Sequence, residues 1–373
     1  MAVHTWQDYE DVLATLGACV STRIPVLLWG DPGSGKTSVV ESAAKIGYHV
    51  ETLIISHYEP SDFAGLPMLH DGHVTLAPPS WAKRLTQIKG PAIAFFDEFS
   101  TASPALQAAA LRPLTHYQVG DLQLPATVSF VAAANPADVA AAGWELAAPT
   151  ASRFVHLEWG LPLDVYSECL VSGGWPTLPV GPLPEGYETV LDQQRALIAG
   201  FLRARSSQLS KIPDDPASRG RAFPTPRTWD YASRLSAYAI ATGASEQVIA
   251  LLVAGCVGEL VAHEFLTFAA RQDLPDPEDV LSGKFTFAGL RADRTYVVLQ
   301  SVLAAVQRTP DAKRWTAAVE VCAEAAATAG VDPAVPVVRA LLRPGARPAG
   351  AALPPTIRVF APVLALSGLL PSA

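Results

Sequence analysis

The residues Gly30-Asp31-Pro32-Gly33-Ser34-Gly35-Lys36-Thr37 fit the pattern G-x-x-x-x-G-K-[ST], and no other stretch limits the possible folds as tightly. The pattern works only as a bend between a strand and a helix. The flanks supply both: Ile24 to Trp29 is an apolar run that reads as a buried strand, and Thr37 to Ile46 reads as a helix. In such a bend Gly30, Gly33 and Gly35 are free to take positive φ and to bring backbone N–H groups against phosphate oxygens. The start of the helix adds unpaired N–H donors and a partial positive charge. Lys36 is placed to reach β- and γ-phosphates, and the Thr37 hydroxyl to ligate Mg²⁺. The loop as a whole, Gly30, Asp31, Pro32, Gly33, Ser34, Gly35, Lys36, Thr37 and Ser38, is the expected seat of ATP. Its fixed positions recur by accident in only about 1% of chains this long.

A second apolar run, Ile93-Ala94-Phe95-Phe96, ends in Asp97-Glu98. In a nucleotide-binding sheet that edge faces the phosphates. Asp97 is expected to hold Mg²⁺ through water, and Glu98 to orient and deprotonate the attacking water. A third run, Phe130 to Ala134, ends in Asn135-Pro136. Asn135 there can touch both the γ-phosphate and the lytic water, although Asn-Pro is also an ordinary turn signal. Arg153 opens the last strand, and Arg227 opens a helix in Pro224-Thr225-Pro226-Arg227. Taken singly, each arginine reads as a surface charge.

Between these landmarks the chain alternates strands and helices. Thr5-Trp6-Gln7-Asp8 resembles a capping box ahead of a helix carrying Tyr9, Val12, Leu13 and Leu16 on one face. A strand is expected at 49–55, a loop at 56–66, a hairpin at 67–77 turning on Asp71-Gly72, and a helix at 80–88. A helix follows from Ser103-Pro104 to about His116, then a hairpin turn at Val119-Gly120-Asp121-Leu122. Helix is expected from Trp144 to Ala151, and a fifth strand from Phe154 to Leu157. This alternation implies a parallel sheet covered on both faces. Pro and Gly cluster between 161 and 188, where a linker is placed, separating a domain at 1–160 from a helical region at 189–373. Helices are expected there at 189–209, 227–242, 245–270, 293–307 and 311–329, with the Pro- and Ala-rich tail packed on them.

Composition removes several classes. The chain has 27 Lys and Arg against 35 Asp and Glu, a net charge of −8, which argues against nonspecific nucleic-acid binding. Cys19, Cys169, Cys256 and Cys322 form no C-x-x-C pair, so they read as reduced thiols and not as a zinc site. The polar N-terminus and the short apolar run Val248–Gly258 predict a cytoplasmic protein with no membrane span. His70 and His73 flank a turn and read as solvated residues rather than metal ligands. His57 reads as loop structure, and Trp81 and Trp229 as core. The basic stretch 195–227 reads as a solvated face or a contact with a neighbouring subunit.

The ordered series of phosphate loop, Asp97-Glu98, Asn135, Arg153 and Arg227 resembles the AAA+ ATPases, and its details resemble the MoxR branch. The segment Glu59 to Gly65 and the hairpin after it look like that branch's helix-2 insert. The resemblance runs from about 25 to 240. It implies an AAA+ P-loop domain, a five-stranded parallel sheet between helices with hairpin inserts, followed by an all-α lid. It makes Gly30–Ser38 the Walker A loop and Asp97-Glu98 the Walker B pair, with ATP and Mg²⁺ as cofactors. It assigns Asn135 to sensor 1, Arg153 to the finger reaching a neighbour's γ-phosphate, and Arg227 to sensor 2. It further implies a homo-oligomeric ring, usually a hexamer, that remodels a client protein. A separate protein with a von Willebrand factor A domain often assists. Three other readings compete: a helicase-like DNA translocase, a nucleotide-gated switch with little hydrolysis, and a small-molecule kinase. The hairpin at 67–77 has no Lys or Arg, which counts against the translocase. Nothing in the kinase reading accounts for Asn135 and Arg227.

Overall fold

The computed structural model describes residues 3, 5–136, 143–272 and 274–366. The capping box forms as expected: Thr5 accepts from the Asp8 backbone N–H, and Asp8 reaches back to the Thr5 N–H, starting helix α1 (Trp6–Thr22). Five strands follow, β1 (Val26–Trp29), β2 (His49–Ile54), β3 (Ala92–Asp97), β4 (Val128–Ala134) and β5 (Val155–Glu158). All pair in parallel, in the order β2-β3-β4-β1-β5. The middle strands are almost wholly apolar because both of their faces are covered; every residue of β1 and β4 is buried, and the Ser129 hydroxyl in β4 donates to the Val20 carbonyl at 2.9 Å. The order matters for function. β4 lies between β1, which leads into the phosphate loop, and β3, which carries the acids, so all three strand ends open on one rim.

One sheet face packs on an aromatic cluster. Phe96 meets Phe63 edge-on at 5.5 Å between centroids and stacks on Phe99 at 6.1 Å; Phe130 and Trp81 complete the group. Phe96 and Phe99 are fully buried on either side of Asp97-Glu98, so the acids cannot shift along the strand without emptying two large core sites. The two hairpins form, Leu66–His70 with His73–Ala77 and Gln118–Val119 with Leu122–Gln123. At the first, Asp71 and Gly72 both take positive φ, as a type I′ turn requires.

Several boundaries differ from the sequence reading. The helix after the loop is α-helical only over Lys36–Glu41 and tightens to 3₁₀ over Ser42–Ile46. The segment 56–66 contains a short helix, Ser61–Ala64. Of the helix expected from Trp144, only Ala148–Ala151 forms. The helix expected at 245–270 breaks at Gly258 into Glu246–Val257 and Glu259–Ala269. The stretch read as a linker holds a helix, Leu163–Ser172, and then packs closely: a Cβ at Gly17 would lie 2.1 Å from the Pro179 carbonyl oxygen.

The chain forms two compact units, 1–187 with 208–263, and 188–207 with 264–373. This division departs from the linear one drawn at 160 and 189. The helices Pro226–Ala241 and Glu246–Val257 pack on α1 and belong with the sheet. Apolar periodicity shows that such helices must bury a face, and it does not say against what. The second unit is helical. Helices Ala292–Arg308 and Ala312–Ala329 enclose Trp315, whose Nε1 donates to the Leu341 carbonyl at 3.1 Å. The tail packs there as expected over its described residues, through Val337, Val338, Ile357 and Phe360; 367–373 lie outside the described residues. All four cysteines are buried and unpaired. Among the described residues no helix is long and apolar enough to cross a membrane.

The edge strand β5 is tied to β1 through His156. Trp29 Nε1 donates to His156 Nδ1 at 3.0 Å, and His156 Nε2 bonds the Ala151 carbonyl at 3.0 Å. These partners require the neutral ring with its proton on Nε2. Burial, with Arg221 adding to it and the Ala151 bond opposing it, lowers the pKa from 6.5 to about 4. Between pH 6.5 and 4 the unfolded chain therefore binds the proton that the fold excludes, and stability falls as pH falls. We expect this residue to contribute a loss of up to about 1.4 kcal/mol per pH unit in that window. Urea midpoints at pH 7, 6 and 5 should show a shallower decline in His156→Gln; an unchanged slope would contradict the assignment.

Candidate nucleotide site

The phosphate loop turns out of β1 at Gly30, whose N–H donates to the Ala134 carbonyl at the end of β4 (3.2 Å). Gly33 and Gly35 take φ of +75° and +82°, the left-handed region that glycine enters freely. Gly30 does not, contrary to the sequence reading. It is glycine for closeness instead: a Cβ there would stand 2.5 Å from the Trp159 carbonyl oxygen. Pro32, Ser34 and Ser38 lie in the loop and the first turn of its helix, with the Ser34 hydroxyl closing onto the Asp31 carbonyl at 2.7 Å.

Lys36 is buried, at 7% exposure. Its Nζ donates to the carbonyls of Gly30 (2.6 Å) and Asp31 (2.8 Å) and to Asn135 Oδ1 (3.2 Å). Burial lowers the pKa of this ammonium, while Asp97 and Asp31 oppose the shift. Thr37 Oγ1 donates to Asp97 Oδ2 at 2.7 Å. The strand order brings these groups together: Asn135 ends β4, so it stands between the loop on β1 and Asp97 on β3. Its own N–H is held by Ser100 Oγ at 3.2 Å.

Glu98 leaves the strand. Its φ and ψ are 56° and 36°, a left-handed conformation that costs a non-glycine residue about 1–2 kcal/mol. The turn swings its carboxylate away from the side chain of Asp97 and toward the end of β2, where Ser56 Oγ donates to Glu98 Oε2 at 3.1 Å. Neighbouring carboxylates are thus separated, one toward Thr37 and one toward Ser56.

These residues fit a magnesium triphosphate. Among the described residues no group of three or more His, Cys, Asp or Glu could hold a metal. Mg²⁺ does not need one, since it keeps several waters and is held by one or two protein oxygens plus phosphates. The Thr37 hydroxyl and the Asp97 carboxylate are such a pair.

Arg153 and Arg227 lie elsewhere. β1 and β5 run parallel with Val26 opposite Val155, so Arg153 sits before the first rung and the loop beyond the last. A four-residue strand spans about 13 Å. Arg227 Nη1 donates to Ser152 Oγ at 3.3 Å, beside Arg153. Burial lowers the pKa of Arg153, and the Arg227 charge adds to the shift. Arg153 Nε is buried without a hydrogen-bond partner. The two arginines are therefore together, on the opposite rim from their own phosphate loop.

Four supporting residues were not picked out from the sequence: Ser56, Ser100, Trp159 and Trp175. Trp159 Nε1 donates to the Ser34 carbonyl at 3.0 Å. Trp175 lays its indole on Gly35, where a Cβ would lie 2.3 Å from the ring, and its carbonyl accepts from Lys45 Nζ at 3.0 Å. A tryptophan directly after the last strand was the only hint, and Trp175 lay in the stretch read as a linker.

Residues 25–154 match the family model of the AAA domain, dynein-related subfamily. The chain is similar to a candidate ATPase of Cytophaga hutchinsonii, at 16% identity over 71% of this chain and 90% of that one, with a TM-score of 0.44. It is similar to a full-length MCM homolog of Methanopyrus kandleri, at 16% identity and a TM-score of 0.36; the match covers 69% of this chain and 54% of that one. It is also similar to the P216G mutant of RuvB from Thermotoga maritima, at 13% identity over 75% and 76% of the two chains, with a TM-score of 0.30. No curated protein matches. The five-stranded parallel sheet, its loop and the helical region after it are the AAA+ P-loop fold expected from the sequence.

The loop geometry makes two substitutions unequal. Gly35→Ala must both strain the backbone and push Trp175 away, and we expect ATP affinity to fall at least tenfold. Gly33→Ala meets nothing within 4 Å and bears backbone strain alone, about 1–2 kcal/mol. Titration with a fluorescent ATP analogue separates them; equal affinities would contradict the role of Trp175.

Proposed function

We propose that this chain, built on an AAA domain, is a MoxR-like ATPase that couples Mg²⁺-dependent ATP hydrolysis to the remodelling or activation of a client protein. The observation that carries the reading is the Thr37–Asp97 hydrogen bond, with Lys36 and Asn135 beside it. Loop N–H groups and Lys36 bind the phosphates. Thr37 and Asp97 would hold Mg²⁺, which when bound would supply charge neutralisation at the phosphates. Glu98 takes the proton of the attacking water, and Ser56 holds its carboxylate in place. Asn135, next to Lys36, positions the water and the terminal phosphate. Arg153 and Arg227 face away from their own loop, which supports their acting together on the nucleotide of the next subunit in a homo-oligomeric ring, a hexamer in the family's usual form. An arginine so delivered is worth about 10³–10⁵ in rate.

The hairpin at 66–77 supports a protein client over nucleic acid. Its tip exposes Leu69 and Val74 at 78% and 70%, with Leu66 and Met68 also exposed, and carries no Lys or Arg to meet a phosphate backbone. A separate partner with a von Willebrand factor A domain and a cytoplasmic location complete the proposal.

Glu98→Gln keeps the shape and the Ser56 contact and removes the base. We expect ATP binding within about twofold of wild type and turnover lower by about 10²–10⁴; free-phosphate release at the wild-type rate would sink the reading. For the arginines the check is mixing. Arg153→Ala and Lys36→Ala chains should each be inactive alone and recover turnover when mixed, because one supplies a working loop and the other a working arginine. No recovery in mixed rings would refute action across the interface.

A further inference from the structure

On the rim opposite the phosphate loop, the sheet unit contains a cavity of about 650 Å³, between the start of β4 and the helix Pro226–Ala241. Arg23, Arg227 and Arg234 all line it, with Tyr117 and Tyr231, and no Asp or Glu is among its lining residues. In a chain with net charge −8 this is a concentration of like charge against the overall balance. The hydrogen bonds of these guanidinium groups go to neutral oxygens: Arg23 Nη1 to the Ala126 carbonyl (2.6 Å), Arg234 Nη2 to the Thr22 carbonyl (3.0 Å) and Arg227 Nη1 to Ser152 Oγ (3.3 Å). Such bonds aim the guanidinium forks without neutralising them. Among the described residues Arg23 and Arg227 form no ion pair, and Arg234 meets only Asp230, at 3.8 Å and on the outer surface. The three charges act on the same space. Burial raises the pKa of the Tyr117 and Tyr231 hydroxyls, and these arginines pull both back, Arg23 and Arg234 at Tyr117, Arg227 and Arg234 at Tyr231.

Like charges gathered in a concavity repel one another and focus a positive potential that only a bound anion relieves. A guanidinium fork matches the tetrahedral phosphate edge with two parallel hydrogen bonds; the Tyr231 hydroxyl adds a donor, while the Tyr117 hydroxyl donates to the Arg23 carbonyl at 3.3 Å and holds that wall in place. We propose that this cavity binds a phosphate-bearing anion of two or more charges, a diphosphate or triphosphate group, at a site separate from the phosphate loop and independent of hydrolysis there. Arg23 and Arg234 contact the anion from the two walls; Arg227, turned toward Ser152 and assigned above to the next subunit's nucleotide, contributes its charge to the cavity and no contact to the anion. The phosphate could come free from solution or on a nucleotide held by another copy's loop; the proposal is for the free anion.

The test uses the full chain carrying Lys36→Ala, whose own loops and whose neighbours' loops have lost their phosphate ligand. Calorimetric titration with inorganic pyrophosphate should show one saturable site per chain, against two in the wild type. Arg23→Gln and Arg234→Gln in the same background should each weaken that site at least tenfold while the thermal midpoint confirms folding. If either glutamine chain fails to fold, Arg23→Lys and Arg234→Lys take its place; they keep the charge and lose the fork, and should weaken binding severalfold. The wild-type loop site should keep its affinity in Arg23→Gln. Absence of saturable binding by the Lys36→Ala chain, or affinity unchanged by substitutions at Arg23 and Arg234, would overturn the proposal. So would binding at this cavity only when Lys36 is intact, since the phosphate would then arrive with a neighbour's nucleotide.

Discussion

The Thr37 hydroxyl and the Asp97 carboxylate meet at 2.7 Å although their strands are not neighbours. β4 runs between β1 and β3, so the contact exists only because the loop leans across the end of β4. The other features of that rim follow from it. Asn135, at the end of the bridged strand, falls between Lys36 and Asp97. Gly30 must approach the Trp159 carbonyl too closely for any side chain, and the loop is held down by Ser34 through the same tryptophan. The aromatic pair Phe96 and Phe99 anchors the acids from below, converting core packing into the placement of two carboxylates.

A consequence is a division of charge between the two rims. At the strand ends a single buried lysine donates to two carbonyls and the Asn135 amide oxygen, with the charges of Asp97 and Asp31 acting on it. At the strand starts, arginines gather with no carboxylate among the residues of their cavity. The chain as a whole is acidic, so the separation arises from where the helix Pro226–Ala241 is packed and not from composition. Placing that helix on α1 gives the sheet unit its arginine rim, and a positive face of this kind is suited to partners that bring phosphate.

Much of this was legible in the residues. The three inner strands were visible as apolar runs with polar punctuation, because a strand buried on both faces has no room for an alternating pattern; the edge strand at 49–54 is half-buried and was visible by alternation instead. The capping box at Thr5, the Pro104 helix start and the Asp71-Gly72 turn were legible because local hydrogen bonds and φ preferences decide them. The loop and the acid pair were legible because phosphate and metal chemistry demands those residue types. The close packing within 161–188 was not legible because Pro and Gly mark irregular backbone and say nothing of burial; Leu178 is buried and Pro179 packs on Gly17 of α1. Ser56 and Ser100 were invisible, since a serine that holds a catalytic group looks like any other.

The sequence by itself determined that a glycine loop would sit between a strand and a helix, and that two acids and an asparagine would end neighbouring apolar strands. Those are local outcomes, set by backbone freedom, capping and hydrophobic period. Only the tertiary structure decided which strand lies beside which, that Glu98 turns away from Asp97 toward Ser56, and that Arg227 joins Arg153 instead of Lys36. Strand order and helix docking depend on contacts between residues far apart in the chain, and no pattern within a short window of residues encodes them.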